Sequence, residues 1–145
     1  MKISDEGLYL LKHFEGCELK AYRCSADVLT IGYGHTKDVT EDMEITQEEA
    51  EAMLVEEMGE YEGYINNKVT VPLEQNQFDA MVCWVYNLGS GNLASSTLLS
   101  VLNNGEYDKV PEQILRWNKA AGKVLNGLVR RRDAEAKLFV GERWR

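Results

Sequence analysis

A carboxyl, a thiol and a hydroxyl stand at fixed intervals in FEGCELKAYRCSADVLTIGYGHT, residues 14–36: Glu15, then Cys24 nine residues on, then Thr30 six further. Each type can do chemistry. A carboxyl set in a partly apolar wall has a raised pKa and serves as a general acid near neutral pH. A thiol has a reference pKa of about 8.5, so little of it is thiolate near neutral pH unless neighbours help. A Thr hydroxyl can orient a water. Sites that cleave glycosidic bonds usually hold two carboxylates, so the cysteine marks either a variation on that chemistry or its loss. The same residues also read as a surface acid and a small buried hydrophobe. On residue types alone that plainer reading is the stronger one.

The elements that would position the three are legible from pattern. Ser4 caps a first helix with Leu8, Leu11 and Phe14 on one side, and Gly16 stops it, which puts Glu15 in the last turn. Val28-Leu29-Thr30-Ile31 is β-prone, Gly32 and Gly34 flank Tyr33, and Asp27 suits a turn, so residues 21–36 form a small hairpin or meander. On antiparallel strands joined by a short turn, residues six apart come close across the pair, which brings Cys24 towards Thr30.

The rest reads as helices. Thr46 and Glu49 have the spacing of a capping box, opening a helix that carries Ala50, Met53, Leu54, Tyr61 and Ile65 inward. Pro72 fits a first helical turn, and Phe78, Met81, Val82 and Val85 form a buried central helix ending at Asn87-Leu88-Gly89. Cys83 and Met81 belong to that core. Ser95 or Ser96 caps a short helix through Leu102, Pro111 marks another, and Asn126 caps a last one through Phe139. The predicted fold is α+β and mostly helical, of lysozyme type. It is one domain over 1–145, with a small β lobe near 17–45 and a helical lobe of 46–145 plus the first helix, flanking a cleft with Glu15 on one wall.

Composition bounds what such a site can meet. The chain has 145 residues, 44% apolar and 28% charged, and no apolar run near the roughly 20 residues that span a bilayer. Asp5, Glu6 and Lys12 interrupt any apolar core of a signal peptide, so a cytoplasmic protein without a membrane anchor is expected. Three cysteines without a paired spacing read as reduced thiols. His13 and His35 are the only histidines, too few partners for a zinc site, and no metal or cofactor is expected. A net charge of −8 argues against nucleic acid. Acids crowd residues 38–62, a solvated helix surface, whereas 116–145 is basic and includes Arg130-Arg131-Arg132, an end suited to an anionic substrate.

Taken together, Glu15-Gly16, Ala21-Tyr22 and TIGYGHT resemble the amino-terminal signature of phage-type lysozymes, the glycoside hydrolase family 24 endolysins. The resemblance continues through VPLEQNQFDAMVCWVYNLGSGNLASSTLL, LNNGEYDKV and RWNKAAGKVLNGLVRRRDAEAKLF, and so covers nearly the whole chain. Several blocks in order make a specific signal. The family pattern is a glutamate, an aspartate nine residues on and a threonine six further. Glu15 and Thr30 match it, and Cys24 stands where the aspartate is expected.

The resemblance implies that Glu15 protonates the glycosidic oxygen and Thr30 places the attacking water. Cys24 then has to stabilise charge, activate water or attack the sugar carbon, with Arg23 a helper that favours thiolate. Asp27 is a weaker substitute, because it stands where the family has a turn glycine and so faces solvent. Tyr86 and Asn87 are implied cleft-lining residues, which read equally as helix-end packing, Arg131, Trp117 and Asn118 are weaker candidates for the sugar, and His35 is a structural residue in a hydrogen bond or ion pair near the hairpin's base. The expected activity is muramidase: hydrolysis of the β-1,4 bond between N-acetylmuramic acid and N-acetylglucosamine in peptidoglycan, for host lysis. The enzyme would be a monomer held in the host cytoplasm until a separate holin gives access to the wall. Its negative charge implies activity that rises as salt screens repulsion from an anionic wall. A catalytically silent glycan-binding protein is the alternative, and a cysteine peptidase or amidase using Cys24 and His35 a further one. Against the last, Cys24 precedes a turn and does not open a helix.

Overall fold

The computed structural model describes residues 1–24 and 26–145. The chain runs α1 (Asp5–Glu15), β1 (Glu18–Arg23), β2 (Leu29–Gly32), α2 (Gln47–Lys68), α3 (Gln75–Leu88), α4 (Ser90–Ser95), α5 (Thr97–Asn103) and α6 (Val110–Leu115), then β3 (Lys119–Ala120), β4 (Lys123–Val124) and α7 (Asn126–Phe139). This is the expected α+β, mostly helical architecture. It comprises two compact units, residues 1–10 with 61–145, and residues 11–60, with the boundaries inside α1 and α2. Among the described residues no helix is long and apolar enough to cross a membrane.

The larger unit is built on α3. Phe78 and the run Ala80 to Val85 have no exposed surface, and α3 packs against α7 through a core that includes Leu138 and Phe139. Each large apolar side chain so buried contributes about 1.5–3 kcal/mol. One acid interrupts this helix. Asp79 is buried, and its carboxylate accepts from the Ser4 N–H at 2.9 Å, from the Ser4 hydroxyl and from Gln75 Nε2 at 2.8 Å. The start of α1 is thereby tied down, and Gly7 is there because a Cβ would sit 2.8 Å from the Asp79 side chain.

In the smaller unit β1 and β2 pair antiparallel, with Tyr22 opposite Thr30, Arg23 opposite Leu29 and an irregularity between Glu18 and Tyr22. Residues 43–45 flank the other edge of β1, where Ala21 N–H bonds Met43 O and Ile45 N–H bonds Leu19 O. The predicted capping box opens α2: Glu49 N–H donates to Thr46 Oγ1 at 3.1 Å and Thr46 N–H to Glu49 Oε1 at 3.0 Å.

Four details differ from the pattern reading. Helix α3 starts at Gln75 and not at Pro72, because Glu74 N–H donates to Gln77 Oε1 at 2.8 Å and fixes the start there. Asn126 is the first residue of α7, not its cap, a place held by Leu125. Met58 is buried within α2, whereas Met53 is only half-buried, and the short elements α4 and β3–β4 were not anticipated.

Candidate active site

All three residues singled out by spacing lie in the smaller unit. Glu15 ends α1, and Gly16, at φ +68°, turns the chain away while its N–H bonds Lys12 O. One turn before Glu15, Lys12 pairs with Glu51 of α2. Glu51 also accepts from Tyr33 Oη at 2.8 Å and Gln47 Nε2 at 3.0 Å, and the Cys17 thiol donates to Gln47 Oε1 at 3.7 Å. The network holds the end of α1, the turn at Tyr33 and the start of α2 as one body. Burial, then the bond to Glu51, pushes the Tyr33 phenol up to about 12, and Lys12 holds the Glu51 carboxyl below its usual range.

Cys24 follows β1 and closes the hairpin turn: its N–H donates to Val28 O at 3.0 Å, and Asp27 N–H donates to its carbonyl at 2.8 Å. Thr30 faces Tyr22 directly, and directly opposed residues share a face, so Tyr22, Cys24 and Thr30 lie on the same side of the ribbon. Hydrogen bonding from the backbone of Val28 and Ala26, with a smaller part from the Thr30 hydroxyl, holds the thiol below its ordinary range. Thr30 is buried, and its hydroxyl also donates to Val28 O at 2.9 Å.

Tyr22, opposite Thr30, was missed as a site residue by the sequence reading. Burial raises its phenol first, and negative charge on Glu18, Cys24 and Glu15 raises it further. Strand alternation, which places Tyr22 two residues before Cys24, was the available signal. The helper proposed for Cys24 is different from the one expected. Arg23 pairs with Glu41 at 2.7 Å and Asp27 at 3.7 Å, and backbone amides depress the thiol instead. Asp27 sits at φ 60° with 84% of its side chain exposed, turned towards water.

His35 closes a tight turn through paired backbone bonds with Ile31, and its Nδ1 meets Glu57 Oε1. The other expected residues lie in the larger unit. Tyr86 packs edge-on against Tyr61 with ring centroids 4.8 Å apart, and Asn87 is exposed and accepts from Arg132 Nη2 at 2.8 Å. Arg131 is 4% exposed and donates to Glu135 Oε2 and Cys83 O, each at 3.1 Å. Trp117 stands edge-on to Trp84, and the Asn118 carbonyl accepts from Leu125 N–H at the base of the β3–β4 hairpin. Among the described residues no three or more His, Cys, Asp or Glu side chains are grouped to hold a metal ion.

Comparison with known proteins gives this arrangement its class. The phage lysozyme profile matches residues 12–135. The chain is 45% identical to the endolysin of Acyrthosiphon pisum secondary endosymbiont phage 1 over 96% of its own length and 98% of that protein. It is 44% identical to the endolysin of Bacillus phage B103, of which it spans about half, 54%. Among solved structures it is similar to the muramidase domain of SpmX from Asticaccaulis excentricus, with a TM-score of 0.89 and 36% identity covering 96% of this chain and 97% of that one. The chain belongs to the phage lysozyme family, and its activity class is that of a lysozyme-type glycoside hydrolase, a lytic endolysin.

Proposed function

We propose that this enzyme hydrolyses the β-1,4 bond between N-acetylmuramic acid and N-acetylglucosamine in peptidoglycan, with a thiolate in place of a second carboxylate. Glu15 donates its proton to the glycosidic oxygen as the bond to the leaving sugar breaks. Cys24, as thiolate, takes a proton from a water held beside Thr30, and the water oxygen attacks the sugar carbon from the opposite face. The thiol then returns its proton to solvent as Glu15 is reprotonated. The observation that carries this reading is geometric: Cys24 and Thr30 lie on one side of the β1–β2 ribbon, with Cys24 held in the turn by its N–H to Val28 O at 3.0 Å. The peptidase alternative has less support, since His35 is engaged by Glu57 and is not among the groups that depress the thiol.

Tyr86 and Asn87 meet the sugar in this proposal, and the almost fully buried Arg131 contributes charge more than contact. The remaining reading is a monomer stored in the host cytoplasm and given access to the wall by a separate holin; the endolysin names of relatives support action on the wall, while two further relatives, 36% and 34% identical, carry the name SAR-endolysin. The test is digestion of purified sacculi, with new reducing ends quantified and their anomeric form read early by NMR. New muramic reducing ends formed with inversion are expected. Retention would show that sulfur attacks carbon itself, and new amino groups without reducing ends would make the chain an amidase.

A further inference from the structure

The basic end of the chain is not one surface. Residues 113–132 contain no Asp or Glu and six Lys or Arg. The fold uses three of the six internally: Arg131 and Arg132 are buried on Glu135, and Arg116 pairs with Glu112 at 3.0 Å. Lys119, Lys123 and Arg130 remain, all exposed and, among the described residues, without an ion-pair partner. They sit on the β3–β4 hairpin and the first turns of α7, in a stretch where every residue from 119 to 127 is exposed.

The hairpin is a rigid presenter. Lys119 pairs with Val124 and Ala120 with Lys123 around a two-residue turn in which Ala121 and Gly122 both have positive φ, the geometry that matches strand twist. Both faces stand in water, and Val124 at 55% and Leu125 at 45% exposure lie beside the lysines. Two-residue strands add little to a fold on their own. What the ribbon and the start of α7 offer is three cations that have no ion-pair partner among the described residues, set beside aliphatic groups.

We propose that this ribbon and the start of α7 dock the peptide stems of the wall polymer, their carboxylates against Lys119, Lys123 and Arg130 and their aliphatic groups against Val124 and Leu125. The inference rests on the muramidase reading and adds a second point of recognition to it. Charge complementarity selects the occupant. Residues 1–115 carry 21 acids against 7 Lys or Arg, so a dense polyphosphate is repelled at long range. Carboxylates spaced along peptides meet the ribbon locally, within about one Debye length of roughly 8–10 Å.

The test compares wild type with Lys119→Glu/Lys123→Glu/Arg130→Glu, and with Lys2→Glu/Lys68→Glu/Arg143→Glu as a variant of the same net charge altered elsewhere. Each is assayed on intact sacculi and on glycan strands stripped of peptides by an amidase, and each is checked for unchanged Tm. The hairpin variant should need about ten-fold more sacculi for half-saturation with kcat retained, the order expected for losing three exposed charge contacts. That gap should narrow in high salt and vanish on bare strands, and the matched-charge variant should behave as wild type. Equal half-saturation of wild type and hairpin variant on sacculi overturns the proposal, as does an equal rise on bare strands or in the matched-charge variant. Loss of binding to anionic phospholipid vesicles with sacculi values unchanged also overturns it and assigns the surface to membrane. If wild type releases no reducing ends from either substrate, the muramidase reading has failed instead. Co-sedimentation with intact and peptide-stripped wall then decides the docking surface alone.

Discussion

Neutralising Glu135 should unfold this protein far more readily than most single changes. Its carboxylate has no exposed surface, accepts from Arg131 Nε and Arg132 Nη2 at 3.1 Å each, and lies 2.8 Å from Arg132 Nε. Burial pushes this carboxyl up and the Arg132 guanidinium down, since each charge has left water. Glu135→Gln keeps the volume and one acceptor but removes the charge that two nearly or fully buried guanidiniums share. Breaking one buried pair costs about 3–5 kcal/mol, and with two cations affected the upper half of that range is expected. Domains are stable by only about 5–15 kcal/mol, so the Tm should fall by roughly 8–20 °C. Urea unfolding followed by circular dichroism and tryptophan fluorescence measures it. Trp117 is a local reporter, because its carbonyl accepts from Arg132 and its ring stands 5.3 Å from that of Trp84. Replacing the whole cluster, Arg131→Met/Arg132→Met/Glu135→Leu, should be much less harmful than the single change. A Gln variant within about 1 kcal/mol of wild type at unchanged m would refute the reasoning.

Three further outcomes are expected. Activity that needs Cys24 as thiolate rises as pH climbs through the thiol's pKa, so Cys24→Asp should move the acid limb of kcat/KM down to the carboxylate range near about 4, and an unmoved limb would mean that another group sets it. Glu51 is held below its usual range, so its stabilising effect is complete above the unfolded-state pKa and fades as pH falls through the folded one. The Tm gap between wild type and Glu51→Gln, a partly exposed pair of at most about 1 kcal/mol, should therefore close in acid, and a constant gap from neutral to acid pH contradicts this. Gly7→Ala puts a Cβ 2.6 Å from Ile3 Cγ1 and 2.8 Å from Asp79 Cβ, so denaturant unfolding should show a loss of about 1–3 kcal/mol despite alanine's helix propensity. A gain in stability would show that the α1 start has room.

Local codes were legible and their tertiary uses were not. The capping box at Thr46 and Glu49 forms as its sequence says because both partners lie within four residues. Pro72 misled because a permissive residue competed with the Glu74–Gln77 bond, which fixes the helix start three residues later. The run Arg130-Arg131-Arg132 reads as one basic patch, yet Glu135 stands four residues after Arg131 and three after Arg132, and this helical spacing draws those two inside and leaves Arg130 exposed. The β3–β4 hairpin lacks an Asn-Gly turn and has strands of two residues, too short for alternation to show. At the site, the spacing of Glu15, Cys24 and Thr30 was visible. The lowering of the thiol was not, because its largest causes are the backbone of Val28 and Ala26, which carries no residue code.

The central claim is that the Cys24 thiolate does the work of a carboxylate, and one comparison tests it most directly. Reducing-end release from purified peptidoglycan should be measured for wild type and Cys24→Ser at the same pH, with matched folding confirmed for both. Serine keeps the shape and the hydrogen bonds but does not ionise near neutral pH, so the account predicts a loss of about 10²–10⁴-fold. A serine variant that cuts at the wild-type rate would make Cys24 a bystander and contradict the account.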